Sequence, residues 1–343
     1  MRVALTYNEQ RSAGEAEAEF DSPETIRAIA DALAPHDVVP IDVRCPLPEL
    51  IARLVGCAPD LVLNLAEGER GAFREAFYPA LFEQLGLRFT GSSASVLALC
   101  LDKTLANRVV AAAGVRVPGC GAEPPWLVKP RFEGSSKGIT QASVVTSRAA
   151  LPAAIAACRA RYPAGEIVED YVEGIDVAVG FVEGLGLLAP IAYAYEPTGP
   201  HRIYDLALKQ APERVRPYVI DAPAVTAAAA RVFAALGVIG YGRADFRLTP
   251  SGEAVFLDMN PLPTLADDDL YVASGLSRAE LLAYLITPPR RTAPARSQAR
   301  RAAAGRSGPP RTRPAARSAA RPRAARSSEP RRSRRRARSA APS

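Results

Sequence analysis

Two short stretches near the end of the chain's apolar patterning carry the residue types best suited to chemistry. In Arg243-Ala244-Asp245-Phe246-Arg247 polar and apolar side chains alternate, so a strand puts Arg243, Asp245 and Arg247 on one face. By the same rule Phe256-Leu257-Asp258-Met259-Asn260 groups Phe256, Asp258 and Asn260. Thr249-Pro250-Ser251-Gly252-Glu253 lies between them as a turn. The spacing predicts a hairpin with 247 opposite 256, 245 opposite 258 and 243 opposite 260. Two carboxylates, an amide oxygen and a guanidinium then share one patch. Directly opposed like charges are unfavourable in a sheet, and a bound divalent cation reverses that sign. An oxygen-only set of this size suits Mg²⁺, which takes one or two carboxylates together with phosphate oxygens. A surface hairpin with Arg–Asp pairs is the competing reading of these residues alone.

Further upstream, Lys129-Pro130-Arg131-Phe132-Glu133-Gly134-Ser135-Ser136-Lys137-Gly138 follows one predicted strand and precedes another. Its glycines, serines and Lys137 are the ingredients of an anion-binding loop. It is not a Walker loop, because no GK[ST] opens a helix, and a polar hairpin turn explains it equally well. In Glu169-Asp170-Tyr171-Val172-Glu173-Gly174-Ile175-Asp176 the acids at a strand end are suited to ribose hydroxyls or an adenine amino group, or to an exposed acidic turn. Lys103 and Lys209 are single lysines whose contexts do not separate a phosphate contact from a solvated surface.

Alternating β-rich and amphipathic runs must position these groups. Strands are predicted at Val3–Tyr7, Val38–Ile41 and Leu61–Leu65. Helices lie between them, one capped by Ser22 with Pro23 in its first turn and running to about Leu33, another near Pro48–Val55. Phe73, Phe77, Leu81 and Leu85 recur every four residues before Gly86, the pattern of a helix with a glycine C-cap. This order argues for a parallel sheet with helices on its faces. A single long helix is expected over Ser93–Ala113, stopped by Gly114. Strands follow at Trp126–Lys129, Ile139–Val145, Ile167–Tyr171, Val177–Val182, Leu188–Ala194, Tyr241–Leu248 and Ala254–Met259. Helices are expected at Leu151–Arg161 and Ala222–Leu236, with Gly237 closing the second, and over residues 267–286. The fold class is α/β, α+β overall.

The 343 residues carry a formal charge of +7, but that average joins two unlike parts. Residues 288–343 hold 18 arginines and one acid, Glu329, a net +17. Taking these from the totals of 43 basic and 36 acidic residues leaves 25 and 35, so residues 1–287 carry −10. The basic segment is rich in Arg, Ala, Pro and Ser, without periodicity or large apolar side chains, and is expected to be disordered. Two readings of it stay open: a polybasic tail for nucleic acid or acidic surfaces, and an incidental product of a shifted reading frame. Five cysteines without CxxC spacing are expected to be reduced structural thiols. With only His36 and His201, zinc sites and histidine-based triads are disfavoured. There is no signal-peptide core and no spanning run, so a cytoplasmic protein is expected.

Taken together and in order, these segments resemble the ATP-grasp superfamily, and within it the D-alanine–D-alanine ligases. The likeness covers roughly residues 60–265. It rests on Phe89-Thr90-Gly91-Ser92, Leu101-Asp102-Lys103, Val128-Lys129-Pro130, Glu133-Gly134-Ser135-Ser136, Glu169, Tyr204-Asp205 with Lys209, Gly242-Arg243-Ala244-Asp245-Phe246, and Phe256-Leu257-Asp258-Met259-Asn260-Pro261. The resemblance implies an N-terminal α/β domain (1–95), an ATP-grasp domain (96–287, with a nucleotide lid at about 105–180 and a catalytic core at about 181–287) and the basic tail. It implies an ADP-forming ligase that phosphorylates a carboxylate with ATP and joins the acyl phosphate to an amine. On the same basis Lys103, Lys129 and Lys209 would lie on the phosphates, and Glu133, Gly134, Ser135 and Ser136 in a covering loop, with Ser135 near the transferred group. Glu169 and the Val172 backbone would hold adenine and Asp176 the ribose. Asp245, Asp258 and Asn260 would bind Mg²⁺, two ions in the family, with Mn²⁺ as a substitute. Arg243 would stabilise the acyl phosphate and the tetrahedral intermediate. Partners would be small-molecule carboxylates and amines, amino acids above all; a homodimer is compatible with the resemblance, and nucleic acid enters only through the tail.

The sequence departs from the family pattern at the substrate end. Tyr7-Asn8-Glu9-Gln10 stands where a Gly-rich turn and a Glu are usual, Ala66-Glu67-Gly68 where His-Gly is usual, and Pro263-Thr264 where Pro-Gly is usual. Asp258 replaces a Glu, and Asp267-Asp268-Asp269 falls where a Ser is expected. The nucleotide half therefore matches better than the substrate half, and a related amino-acid or dipeptide ligase is favoured over D-alanyl-D-alanine synthesis. An ATP-binding regulatory or scaffold protein with an altered active site is the alternative.

Overall fold

In the computed structural model, residues 1–266 and 273–287 are described. The expectations for Asp267-Asp268-Asp269 and for the basic tail lie outside them. Strands β1 (Arg2–Tyr7), β2 (Asp37–Asp42) and β3 (Leu61–Leu65) form a parallel sheet in the order β2-β1-β3. Parallel sheets bury both faces, and β1 does so: Val3, Leu5 and Tyr7 pack with Ile26 and Ile29, while Ala4 joins Leu50, Leu54 and Phe82 on the other side. Helix α1 (Pro23–Ala32) begins as the sequence indicates, with Ser22 Oγ accepting from the Thr25 amide. Helix α2 is Leu47–Cys57. Helix α3 (Arg74–Gln84) forms where expected but presents a different face. Phe73 and Phe77 are exposed, and the inward side carries Arg74, Glu75, Tyr78, Pro79 and Phe82.

The expected long helix is two helices, α4 (Ala94–Leu101) and α5 (Lys103–Ala112), broken at Asp102. Asp102 leaves helical geometry (φ −81°, ψ 92°) and its Oδ1 accepts from the Thr104 and Leu105 amides. Arg131 Nε and Nη2 grip both oxygens of the same carboxylate at 2.7 and 2.6 Å. The break thus caps α5, ties it to the chain after β4 (Trp126–Pro130) and sets Lys103 at the first helical position.

Strand β4 lies between β5 (Val144–Val145) and β6 (Glu166–Asp170) in an antiparallel sheet backed by α6 (Leu151–Arg161). The strand expected from Ile139 is only the two residues of β5, since Gln141–Ser143 forms a 3-10 turn. A larger antiparallel sheet is built from β7 (Ile175–Val182), β8 (Gly186–Leu187), β9 (Ile191–Ala194), β10 (Arg216–Val219), β11 (Tyr241–Leu248) and β12 (Ala254–Asn260), in the order β10-β9-β7-β11-β12, with β8 paired to β7. A short helix, α7 (Leu206–Lys209), follows β9. One face of the large sheet is covered by α5 and by α8 (Pro223–Leu236), which Gly237 closes in the left-handed region as expected. Helix α9 (Arg278–Ile286) buries Leu281, Leu282 and Leu285 against α1 and β1.

The hairpin is partly as the spacing predicts. Arg243 pairs with Asn260 and Asp245 with Asp258, but Phe246 pairs with Phe256 and Arg247 with Val255. A β-bulge at Leu257 absorbs the slip. The extra residue reverses the alternation, so Phe256 turns into the core beside Phe246 instead of sharing a face with Asp258. All five cysteines are free; Cys100 is buried, whereas Cys120 is exposed and is not a structural core thiol.

Because Asp102 both caps α5 and anchors Arg131, replacing it should unfold more than a surface change does. Asp102→Ala is expected to cost about 2–3 kcal/mol in urea unfolding, while Asp102→Asn, which keeps a capping oxygen, should cost less. Equal losses in the two variants would remove the cap from the account, and an unchanged stability in Asp102→Asn would remove the ion pair with Arg131.

Candidate active site

Lys103, Lys129, Glu133, Gly134, Ser135, Ser136, Glu169, Val172, Asp176, Lys209, Arg243, Asp245, Asp258 and Asn260 all line one cavity of about 670 Å³. It lies between the β4–β6 sheet and the large sheet, and the N-terminal layer closes it with Glu19, Asp21, Glu67 and Glu75. The two sheets supply opposite walls. Lys129 and Glu169 come from neighbouring strands β4 and β6, and Arg243, Asp245, Asp258 and Asn260 come from the hairpin.

Lys103, Lys129 and Arg243 inside the cavity are paired with carboxylates. Lys129 Nζ lies 2.7 Å from Glu169 Oε2 and 3.4 Å from the carbonyl of the bulged Leu257. Asn107 of α5 donates to the other Glu169 oxygen at 2.9 Å. Lys103 Nζ is 3.0 Å from Asp258 Oδ2 and donates to the Glu133 carbonyl at 2.8 Å. Burial lowers the proton affinity of the Lys103 ammonium, but Asp258 outweighs it and the net shift is upward. Arg243 Nε and Nη2 hold both oxygens of Asp245 at 2.8 and 3.0 Å. Asn260 Oδ1 accepts from the Leu262 amide. Lys209 Nζ sits 5.6 Å from the centre of the Tyr204 ring.

The loop 133–138 is held by residues the sequence did not single out. Glu19 accepts from Arg74, from the Gly134 amide at 2.8 Å and from Lys137 Nζ at 2.7 Å. Burial pushes the Glu19 carboxyl up, but Arg74 and Lys137 together hold it below its ordinary value. Gly134 is needed at this approach, since a Cβ there would stand 2.4 Å from Glu19 Oε1. Glu15 accepts from the Gly138 amide and from Tyr162, and pairs with Arg161. Ser135 and Ser136 are both left-handed (φ 46° and 57°), which costs of order 1 kcal/mol per non-glycine residue. Ser136 Oγ donates to the Tyr204 carbonyl at 2.9 Å.

The oxygens of Asp245, Asp258 and Asn260 fit a hard divalent cation. Asp245 and Asp258 are directly opposed in the register, and their charge is compensated by Arg243 and Lys103 rather than by burial away from each other. Among the described residues no group of three or more His, Cys, Asp or Glu side chains forms a closed metal cage. Each of the hairpin groups already has a partner, Arg243 on Asp245, Lys103 and the Met259 amide on Asp258 and the Leu262 amide on Asn260, so a cation completing its coordination with phosphate oxygens would compete with them.

The acids from the N-terminal layer have the opposite character, although Glu75 is near enough to Lys103 and Asp258 for their charges to act on it. Glu67 is pushed well above its ordinary pKa by burial, with Glu75 and Glu19 adding to it. Burial lifts Glu75 to about 8, against the pull of Arg74. Asp21 is lifted to about 6 by burial, moderated by the hydrogen bond from Thr264.

A cavity walled by two β-layers, with paired lysines on one side and a carboxylate hairpin on the other, is the setting in which the likeness to known ligases falls. The family model described as "D-ala D-ala ligase C-terminus" matches residues 122–287. A D-alanine–D-alanine ligase of Anaeromyxobacter sp. (strain Fw109-5) is 33% identical over 307 residues, 81% of this chain and 92% of that protein. The D-alanine–D-alanine ligase from Bacillus anthracis complexed with ATP superposes with a TM-score of 0.65 at 18% identity, covering 83% of this chain and 96% of that one. The VanG D-Ala:D-Ser ligase from Enterococcus faecalis does so at 0.62 and 21%, covering 83% and 98%. The chain belongs to the D-alanine–D-alanine ligase family and is an ATP-dependent carboxylate–amine ligase. No described helix is long and apolar enough to cross a membrane.

A carboxyl whose pKa is raised by folding favours the fold below its unfolded value, and that contribution is lost as pH rises to the folded value. For Glu75 the window runs from the ordinary 4.5 to about 8. Glu75→Gln stays neutral throughout, so its melting temperature should gain on the wild type between pH 5 and pH 8. The slope is up to about 1.4 kcal/mol per pH unit for one proton. A constant difference across that range would show that Glu75 is ionised in the fold at every pH.

Proposed function

We propose that the protein joins the carboxylate of an amino acid to an amine through an acyl phosphate, with ATP held at the hairpin end of the cavity and the carboxylate substrate at the acidic end. The observation that carries this is the convergence of Lys103, Lys129, the 133–138 loop and the Asp245–Asp258 pair on one cavity. Lys103, Lys129 and Lys209 would neutralise the phosphates. Glu133, Gly134, Ser135 and Ser136 would cover them, with Ser135 closest to the transferred group. Glu169 and the Val172 backbone would take adenine, and Asp176 the ribose. Asp245, Asp258 and Asn260 would hold Mg²⁺, two ions on the family pattern. When bound, the metal neutralises phosphate charge.

Transfer from ATP to a carboxylate needs alignment and charge neutralisation more than a protein nucleophile. The substrate carboxylate oxygen attacks the γ-phosphorus and ADP leaves. The amine then attacks the acyl carbon, and inorganic phosphate leaves. Arg243, on the hairpin face beside Asp245, would meet the negative charge that develops on the acyl oxygen. The latched loop would keep water from the acyl phosphate. The acids Asp21, Glu67 and Glu75 favour an ammonium, which would draw the buried Glu67 and Glu75 toward their ionised forms. They support a substrate entering with its amino group toward the N-terminal layer and its carboxylate toward the phosphates.

D-Alanine, named for the relatives, is one candidate among the amino acids, and Glu67 in the place of a histidine supports a different one. A screen of amino-acid pairs with Mg-ATP, read by product mass and including D-alanine with itself, tests this. Sustained release of inorganic phosphate should require both a carboxylate and an amine. Asp245→Ala and Asp258→Ala should each lower turnover by about 100-fold or more, and unchanged turnover in either would remove that residue from the metal site.

A further inference from the structure

Arg247 is the one hairpin residue of the polar alternation to which the reaction above gives no task. It is directly opposite Asp176 in the β11–β7 register. Its Nη1 donates to Asp176 Oδ2 at 3.0 Å and to the Gly174 carbonyl at 3.2 Å. Both side chains are nearly buried, 8% exposed for Arg247 and 13% for Asp176, and both line the cavity. The hydroxyl of Tyr195 donates to the same Asp176 Oδ2 at 2.5 Å. Burial and the neighbouring Asp176 charge raise the Tyr195 pKa, so the phenol keeps its proton and stays a donor. The guanidinium of Arg202 in turn stacks 4.2 Å over the Tyr195 ring.

The two donors converge on one oxygen. Asp176 Oδ1 accepts no hydrogen bond from any described residue, and the carboxylate is thereby fixed with one oxygen committed and the other presented. The connection between β6 and β7 is pressed onto the same arginine. Gly174 lies at φ +148°, and a Cβ there would stand 2.2 Å from the Leu248 carbonyl oxygen and 3.0 Å from Arg247 Cγ. Arg247 thus fastens both the carboxylate and the turn that carries it.

We propose that Arg247 is a positioning residue for the nucleotide: it orients Asp176 so that Oδ1 receives the ribose hydroxyls and the enzyme distinguishes ribonucleotides from deoxyribonucleotides. This rests on the reading of Asp176 as the ribose contact. A hydrogen bond to a charged acceptor survives as recognition only if the acceptor is held in place, because a carboxylate left to turn in a nearly buried site loses its alignment. A purely structural ion pair would hold the strands together without affecting which nucleotide binds.

The test uses the full chain and measures dissociation constants for ATP, 2′-deoxy-ATP and 3′-deoxy-ATP with Mg²⁺ by calorimetry. The wild type is expected to prefer ATP by about tenfold or more, and Asp176→Asn to lose that preference. Arg247→Met should weaken ATP by about tenfold while changing the deoxynucleotides little, so that the ratio falls toward one. Arg247→Lys, which restores a cation opposite Asp176, should recover part of the ratio. Tyr195→Phe, which removes the second donor, should lower it partially and serves where Arg247→Met does not fold. A wild type that binds all three nucleotides alike overturns the reading of Asp176 and this proposal with it. Loss of the preference in Asp176→Asn but its full retention in Arg247→Met, or in Tyr195→Phe where that variant stands in, overturns the proposal alone.

Discussion

A charge taken out of water must meet an opposite charge, and this constraint organises the fold. Leaving one member of a buried pair alone costs about 3–5 kcal/mol, so each buried cation ties together the elements that supply the pair. Lys129–Glu169 fastens β4 to β6, and Lys103–Asp258 fastens α5 to β12. Arg74 and Lys137 bring α3 and the 133–138 loop onto Glu19. The cavity walls are therefore joined by the same groups that would receive the nucleotide. Phosphate oxygens would compete with Asp258 and Glu169 for the two lysines, and a divalent cation would compensate the carboxylates released. Free and loaded states can both be neutral in sum because the partners exchange rather than appear.

The acids of the segment Glu15-Ala16-Glu17-Ala18-Glu19 show how much of a site one short run can hold. Glu15 and Glu19 each accept an amide from the loop, at Gly138 and Gly134. Glu17 turns the other way, accepts from the Arg11 and Ser12 amides and pairs with Arg44. The run is fixed by Glu17 and fixes the loop through its neighbours. Two left-handed serines are sustained in that loop because it is anchored on both sides of them.

Local rules made much of this architecture legible in the sequence. Ser22 and Gly237 cap helices as their types require, and the period-two patterns located β11 and β12 to within a residue. The opposed Asp245 and Asp258 followed from spacing alone, and the other lining residues from a family pattern of short motifs in order. What was hidden is long-range. The apolar period Phe73-Phe77-Leu81-Leu85 pointed to the wrong face of α3 because Arg74 and Glu75 face inward. Nothing near them in sequence reveals Glu19, 55 residues away, as the partner of Arg74. The bulge at Leu257 has no glycine to announce it. The helix break at Asp102 did have a signal, an aspartate two residues before a threonine amide it can cap, but the apolar pattern continued through it.

The polarity of the cavity links these buried charges to the direction of the reaction. At the hairpin end lysines and an arginine stand over two carboxylates, a set that accepts anions once a divalent cation joins it. In the N-terminal layer Glu67 and Glu75 are held away from ionisation by burial, with Glu75 and Glu19 adding to it at Glu67 and Glu19 at Glu75. A neutral acid there costs the empty enzyme little, whereas an incoming ammonium would favour its ionised form. Binding a cationic group would then draw a proton off the pocket, and affinity for it would rise with pH up to the pKa of the pocket acid, about 8 for Glu75. A zwitterionic amino acid then has one orientation in which both of its charges are matched, its ammonium against these acids and its carboxylate toward the lysines.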